Sequence, residues 1–205
     1  MVDTAYEAIK RDIITCVLRP GEYINERQLC ERLRIGRTPV HQAIGHLAQE
    51  NLVDVIPRKG IIVRAVSIDE YFNLDEARLL VEVEAMRLVA KRITQTELEA
   101  LEAILARSHE ARLARNLEEL LMIDRDFHFA LAESTRNAVL IGMLKSAYER
   151  SLRIWFISLG DQNVDSSRDE HERLLAALRK RDGEGAAAIM REHILSSRAH
   201  TMRQA

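Results

Sequence analysis

Cysteine is scarce: Cys16 and Cys30 are the only two in 205 residues. Two isolated cysteines make neither a zinc framework nor a disulfide scaffold, so they read as small buried apolar residues in a reducing compartment. Only three prolines and eight glycines interrupt the chain, which favours a mainly α fold. No apolar run approaches the roughly 20 residues that span a bilayer, and no charged-then-apolar leader opens the chain. The expected location is the cytoplasm, with no membrane partner. Neither charge sign dominates: 30 Lys and Arg face 32 Asp and Glu, a net of −2. The whole molecule is therefore not a polycation. No repeat or low-complexity segment is evident.

Hydrophobic residues make up 47% and charged residues 30% of the chain, enough for a core under a well-solvated surface. The stretch Ile35–Leu47, IGRTPVHQAIGHL, organises the N-terminal part. Val40, Ala43, Ile44 and Leu47 recur at helical spacing and define one buried face. Arg37, His41, Gln42 and His46 occupy the other. A short helix with a buried stripe and a donor-rich face suits the major groove of DNA. Gly36 opens it, and Pro39 falls in its first turn, where a missing N–H costs nothing.

A first helix is expected over residues 4–18, with Tyr6, Ile9, Ile13 and Val17 in one stripe and Pro20-Gly21 as its stop. Asn25 can cap a second helix, with Gln28 three residues on. After Asn51 the pattern changes. Leu52–Ile56 and Ile61–Val66 are short and β-branched, joined by Pro57, Arg58, Lys59 and Gly60 as a hairpin. Helix, helix, turn, helix and a two-stranded wing make a winged helix-turn-helix over residues 1–66. The wing-tip cations suit phosphate or minor-groove contact, and equally an ordinary solvated turn. Charge only permits a basic N-terminal face: residues 1–66 hold 10 Lys and Arg against 8 Asp and Glu, the remainder 20 against 24.

From Ser67 the strand signal ends. Ser67-x-x-Glu70, Thr94-x-x-Glu97, Asn116-x-x-Glu119 and Ser167-x-x-Glu170 read as helix starts. Helices are expected over 68–91, 95–114, 117–133, 138–159, 167–181 and 184–203. Breakers stand at Ser134 to Asn137, Gly160 to Asn163 and Asp182-Gly183. Residues 67–205 are thus expected to be an all-helical bundle.

Four residues within it carry chemistry. Asp124 and His128 are four apart on one helix and leave the same face. Leu121 and Leu131 share that face, so it points inward. His171 and His193 lie on two later helices, each among leucines and isoleucines. Imidazoles and a carboxylate converging in a bundle core would suit zinc, nickel, manganese or iron. The same spacing fits three separately hydrogen-bonded histidines.

The segment RLRIGRTPVHQAIGHLAQENLVDVIPRKGIIV, with the preceding LRPGEYINERQL, resembles the DNA-binding domain of GntR-family bacterial transcription regulators. From Leu74 onward, LDEARLLVE, IDRDFHFALAESTRN, DEHERLLAALRKRD and AAAIMREHI are similar to the FadR-like subgroup with an FCD-type effector domain. The resemblance implies DNA contacts by Arg27, Arg37 and Thr38, and a wing-tip Gly60 where a side chain would obstruct approach to the groove. It implies a divalent transition metal, zinc foremost with nickel or manganese as alternatives, on Asp124, His128, His171 and His193. It places Arg78 against the carboxylate of an effector beside that metal, with Arg153 as a second candidate. Three positions depart from the family pattern. Gly36 replaces the usual capping serine, at a cost of only a few tenths of a kcal/mol. His41 and Gln42 replace an arginine and a glutamate. Neutral His41 cannot make arginine's bidentate contact with guanine, and Gln42 would favour adenine.

The expected protein is therefore a transcription regulator, more in the manner of a repressor, and not an enzyme. It would bind palindromic double-stranded DNA as a homodimer under control of a small carboxylate. Two other readings compete: a metal-dependent enzyme with Glu170 as base beside the Asp/His set, and a DNA-binding protein whose bundle is purely structural.

Overall fold

The computed structural model describes residues 1–65, 67–158 and 165–204, without the side chains of residues 158, 165–167, 203 and 204. Its contacts divide the chain into two compact units, Met1–Glu70 and Tyr71–Ala205. Val66, the expected end of the second wing strand, lies outside the described residues, as do the breaker Gly160 to Asn163 and the side chain of Ser167.

The first unit runs α1 (Val2–Ile14), β1 (Tyr23–Ile24), α2 (Glu26–Leu33), α3 (Arg37–Gln49), β2 (Val53–Ile56) and β3 (Gly60–Val63). Helix α1 ends at Ile14 and does not continue to residue 18. The β-branched run Ile13-Ile14-Thr15 weakens the helix there. Cys16 then takes a φ of 58°, and the Leu18 amide donates to the Asp12 carbonyl at 2.9 Å. Val17 consequently faces solvent while Ala5, Ile9, Ile13 and Ile14 are buried. Both cysteines are half-buried, not core residues as expected.

Asn25 caps α2 by accepting from the amides of Arg27 and Gln28. Gly36 stands at the N-cap of α3 with no side-chain bond. Helix α3 buries Val40, Ala43, Ile44 and Leu47 against Ile9, Leu29 and Val63. The wing gains a strand that the pattern did not reveal. Tyr23 and Ile24 pair with Ile62 and Ile61, so the sheet order is β1-β3-β2. A two-residue strand is too short to show period-two alternation, and it forms only because β3 offers a free edge.

The helices that follow are α4 (Ile68–Arg92), whose first three residues belong to the first unit, α5 (Gln95–Leu113), α6 (Leu117–Ser134), α7 (Ala138–Ser158), α8 (Asp165–Arg179) and α9 (Gly183–Gln204). Ser67 accepts from the Glu70 amide at 3.1 Å. Thr94 and Glu97 form a reciprocal capping box, and Asn116 accepts from the Glu119 amide. The core joins Met86 and Val89 of α4, Phe127 and Leu131 of α6, Leu174 and Leu178 of α8, and Met190 and Ile194 of α9. No described helix is long and apolar enough to cross a membrane.

Candidate functional site

Three helices bring three imidazoles together. His128 comes from α6, His171 from α8 and His193 from α9, all buried, with ligand atoms within 4.8 Å of one another. The ring centroids of His128 and His193 lie 5.1 Å apart, and those of His171 and His193 4.7 Å. The Nε2 atoms of all three have no hydrogen-bond partner in the protein. Such buried orphans are rare in native structures and call for a reason.

Carboxylates hold the opposite edges of two rings. Glu170 Oε2 lies 2.8 Å from His193 Nδ1, and Glu82 Oε2 lies 3.6 Å from His128 Nδ1. A carboxylate at Nδ1 favours the proton there and leaves Nε2 with its lone pair inward. Burial lowers the pKa of His128 and pushes that of His171 well below the usual histidine range. Neutral imidazoles are the form that binds metals. Asp124 completes the predicted set differently from the histidines. It is not among the three converging groups, but its Oδ1 lies 3.5 Å from His171 Nε2, and its Oδ2 accepts from the Tyr148 hydroxyl. Burial would raise its pKa, yet the three imidazoles and Tyr148 hold it below the ordinary carboxylate value.

Arg78 sits beside this cluster, fully buried on α4. Its Nε donates to Glu82 Oε1 at 2.5 Å, so Glu82 links the guanidinium to His128. Burial alone would raise the Glu82 pKa, but Arg78 and His128 override it and set it at about 2. The guanidinium lies 5.3 Å from the Tyr148 ring and 5.0 Å from the Trp155 ring. Its Nη1 has no hydrogen-bond partner in the protein. Arg153 is buried too, on α7. At about 100° per residue it leaves that helix roughly 200° away from Trp155, so the two residues do not share the face that meets Arg78.

Sequence reasoning missed Glu82 and Tyr148 and the pairing of Glu170 with His193. The Arg78-x-x-x-Glu82 spacing was a usable signal for an i,i+4 pair. The Glu170 carboxylate meets His193 Nδ1, a contact that the reading of Glu170 as a base beside His171 did not include. Tyr148 lay in a helix with no pattern to single it out.

The residues of the first unit expected to contact DNA lie on its surface. Arg37, Thr38, His41 and Gln42 are exposed along α3. Arg27, Arg37, Lys59 and Gly60 line one open groove between α2, α3 and the wing. Arg27 is paired with Glu31 at 2.9 Å, exposed on both sides. His41 Nδ1 meets Glu26 Oε1 at 2.9 Å, a contact that the sequence did not suggest. Gly60 has φ +112°, and a Cβ there would meet only Tyr23 Cδ1, at 3.9 Å. Within the chain the glycine is required by backbone conformation and not by crowding.

The FCD domain family matches residues 74–196, and the family described as bacterial regulatory proteins, gntR family, matches residues 1–63. The chain belongs to the GntR family. Its C-terminal part is an FCD domain. A relative in Aminobacter aminovorans, the Nta operon transcriptional regulator, is 30% identical over 176 residues, covering 86% of this chain and 82% of that protein. The HTH-type transcriptional repressor GlaR of Escherichia coli is 30% identical over 203 residues, covering 93% and 91%. The solved structure of E. coli McbR/YncC shares the fold with a TM-score of 0.89, at 22% identity and 99% and 97% coverage. This GntR-family chain is thus a DNA-binding transcription regulator with an effector-binding domain, and that domain holds a buried His128/His171/His193 cluster able in principle to coordinate a metal ion.

Proposed function

We propose that residues 67–205 sense a small carboxylate next to a divalent metal, zinc foremost, and that this sets the affinity of residues 1–66 for a palindromic operator. The observation that carries the proposal is the convergence of three buried imidazoles whose Nε2 atoms have no hydrogen-bond partner, two with a carboxylate at Nδ1. A structural histidine normally spends both nitrogens on protein partners. The donor set of imidazoles plus Asp124 fits zinc, nickel or manganese. When bound, the metal supplies a Lewis-acid attachment for a carboxylate oxygen. Arg78 supplies the second attachment: Glu82 fixes its orientation, Tyr148 and Trp155 restrict its plane, and its Nη1 remains available to an anion.

On the DNA side, Arg37, Thr38, His41 and Gln42 face the major groove, while Arg27, Lys59 and the Gly60 turn serve the backbone and wing contacts. One winged unit reads too few base pairs to select a genomic site, so a homodimer on a two-fold operator is the expected form. The effector controls operator affinity only through a difference in its affinity for two arrangements of that dimer.

Native mass spectrometry of the unchelated protein tests the proposal, with an H171A/H193A double mutant as control. A dimer carrying one metal per chain, lost in the mutant, is the expected result. Protein that stays metal-free after incubation with zinc, nickel or manganese refutes the metal site.

A further inference from the structure

His41 stands four residues after Arg37 on α3, so the two side chains leave the same exposed face. The His41 side chain is 75% exposed. Its Nδ1 lies 2.9 Å from Oε1 of Glu26, the first residue of α2. Among the described residues its Nε2 has no protein partner. Gly45, one turn further on, puts no side chain beside the ring, and a Cβ there would meet no atom within 4 Å. Glu26 lines the same open groove as Arg27, Arg37 and Lys59, and among the described residues that line it Glu26 is the only acid.

An acid at that place opposes the approach of phosphates and weakens binding to every DNA sequence alike. What it offers in return is control of the His41 ring. A carboxylate only accepts hydrogen bonds, so the proton of neutral imidazole sits on the Nδ1 that faces it. Nε2 then turns outward with its lone pair. In the major groove an acceptor needs a donor, and only adenine N6 and cytosine N4 supply one. Guanine presents N7 and O6 and thymine presents O4, which set lone pair against lone pair.

We infer that Glu26 is a positioning residue for base recognition: it fixes His41 as a hydrogen-bond acceptor, and His41 then selects adenine or cytosine where an arginine would select guanine. This rests on the reading of α3 as the helix that enters the major groove. Glu26 needs no contact with DNA for this role, because it acts through the ring that it holds.

The test selects binding sites for the full chain from a library of random DNA duplexes, at about pH 8, where free imidazole is neutral. Wild type, His41→Ala, Glu26→Ala and Glu26→Gln are compared. The position whose preference collapses in His41→Ala is the base that His41 reads. Anisotropy titrations on duplexes differing only there measure the preference. Wild type should favour adenine or cytosine by about 3- to 10-fold, the span of one net hydrogen bond. Glu26→Ala lets the proton move to Nε2, so the preference should vanish or pass to guanine or thymine. Glu26→Gln removes the same charge but keeps an oxygen to accept from Nδ1–H. It should keep the preference while raising affinity for all sequences, as Glu26→Ala also does. Four results overturn the inference and leave DNA reading by α3 standing: guanine or thymine favoured by wild type, a preference unchanged in Glu26→Ala, one lost equally in Glu26→Gln, or no position altered in His41→Ala. If wild type enriches no sequence at all, the reading of α3 falls and this inference with it.

Discussion

Glu170→Ala offers the sharpest test of how the histidine cluster is built. The Glu170 carboxylate lies 2.8 Å from His193 Nδ1 in a buried setting. Removing it does two separable things. It leaves the His193 N–H buried without a partner, which costs about 1–3 kcal/mol of stability. It also frees the imidazole tautomer. Outer carboxylates of this kind typically contribute 10- to 100-fold in metal affinity, or about 1.4–2.8 kcal/mol. The expected outcome is a zinc dissociation constant raised 10- to 100-fold, measured by competition with a chromogenic chelator. Without metal, the melting temperature should fall by about 4 °C per kcal/mol lost. Glu170→Gln keeps an acceptor oxygen but loses the charge, so it should fall between wild type and Glu170→Ala on both measures. His193→Ala should weaken zinc binding more than either. Zinc affinity unchanged in Glu170→Ala, with the melting temperature lowered as expected, would refute the view that the pair orients a ligand and would make it a structural hydrogen bond only.

Further outcomes are expected elsewhere in the molecule. Arg37→Ala should weaken operator binding by about 1–3 kcal/mol, whereas Lys59→Ala should weaken all sequences alike and reduce the salt slope by about 1, both readable by fluorescence anisotropy across a salt series. Burial pushes the Asp75 carboxyl up from 3.8 to about 6, with Arg78, Arg198 and a Tyr71 hydrogen bond opposing and Glu82 adding to the rise. The folded state thus binds the extra proton between those values, so stability should be highest below pH 4 on this account and decline by ~3 kcal/mol as pH rises through 6. Chemical denaturation at stepped pH should show that decline in the wild type and a flatter profile in Asp75→Leu. Gly60→Ala must hold a left-handed φ of +112° with free space around it, so it should cost about 1–3 kcal/mol; thermal melts unaffected by the substitution would contradict the backbone argument.

Much of the helical pattern was legible because caps and periodicity are local. Thr94 and Glu97, and Asn116 with Glu119, sit where the alternation of cap and apolar stripe placed them. The buried face of α3 was readable residue by residue for the same reason. The exceptions were also physical. Helix α1 stopped early because a left-handed Cys16 reversed the chain before the Pro20-Gly21 signal was reached. Strand β1 was invisible because its pairing partner, β3, supplies the reason for it to be extended.

The candidate site divides along the same line. The sequence alone determined that Asp124 and His128 share a helix face, that His171 and His193 lie on separate amphipathic helices, and that Arg78 lies within the bundle's first long helix. Those are consequences of spacing at 3.6 residues per turn. Only the tertiary structure decided that three imidazoles converge within 4.8 Å while Asp124 stands at their edge. It alone made Glu170 the partner of His193, 23 positions away in sequence, and buried Asp75 beside Arg78. Periodicity reports which face of a helix turns inward. Which inward-facing groups meet, and which polar atoms are left unpaired, depends on how helices distant in sequence pack against one another.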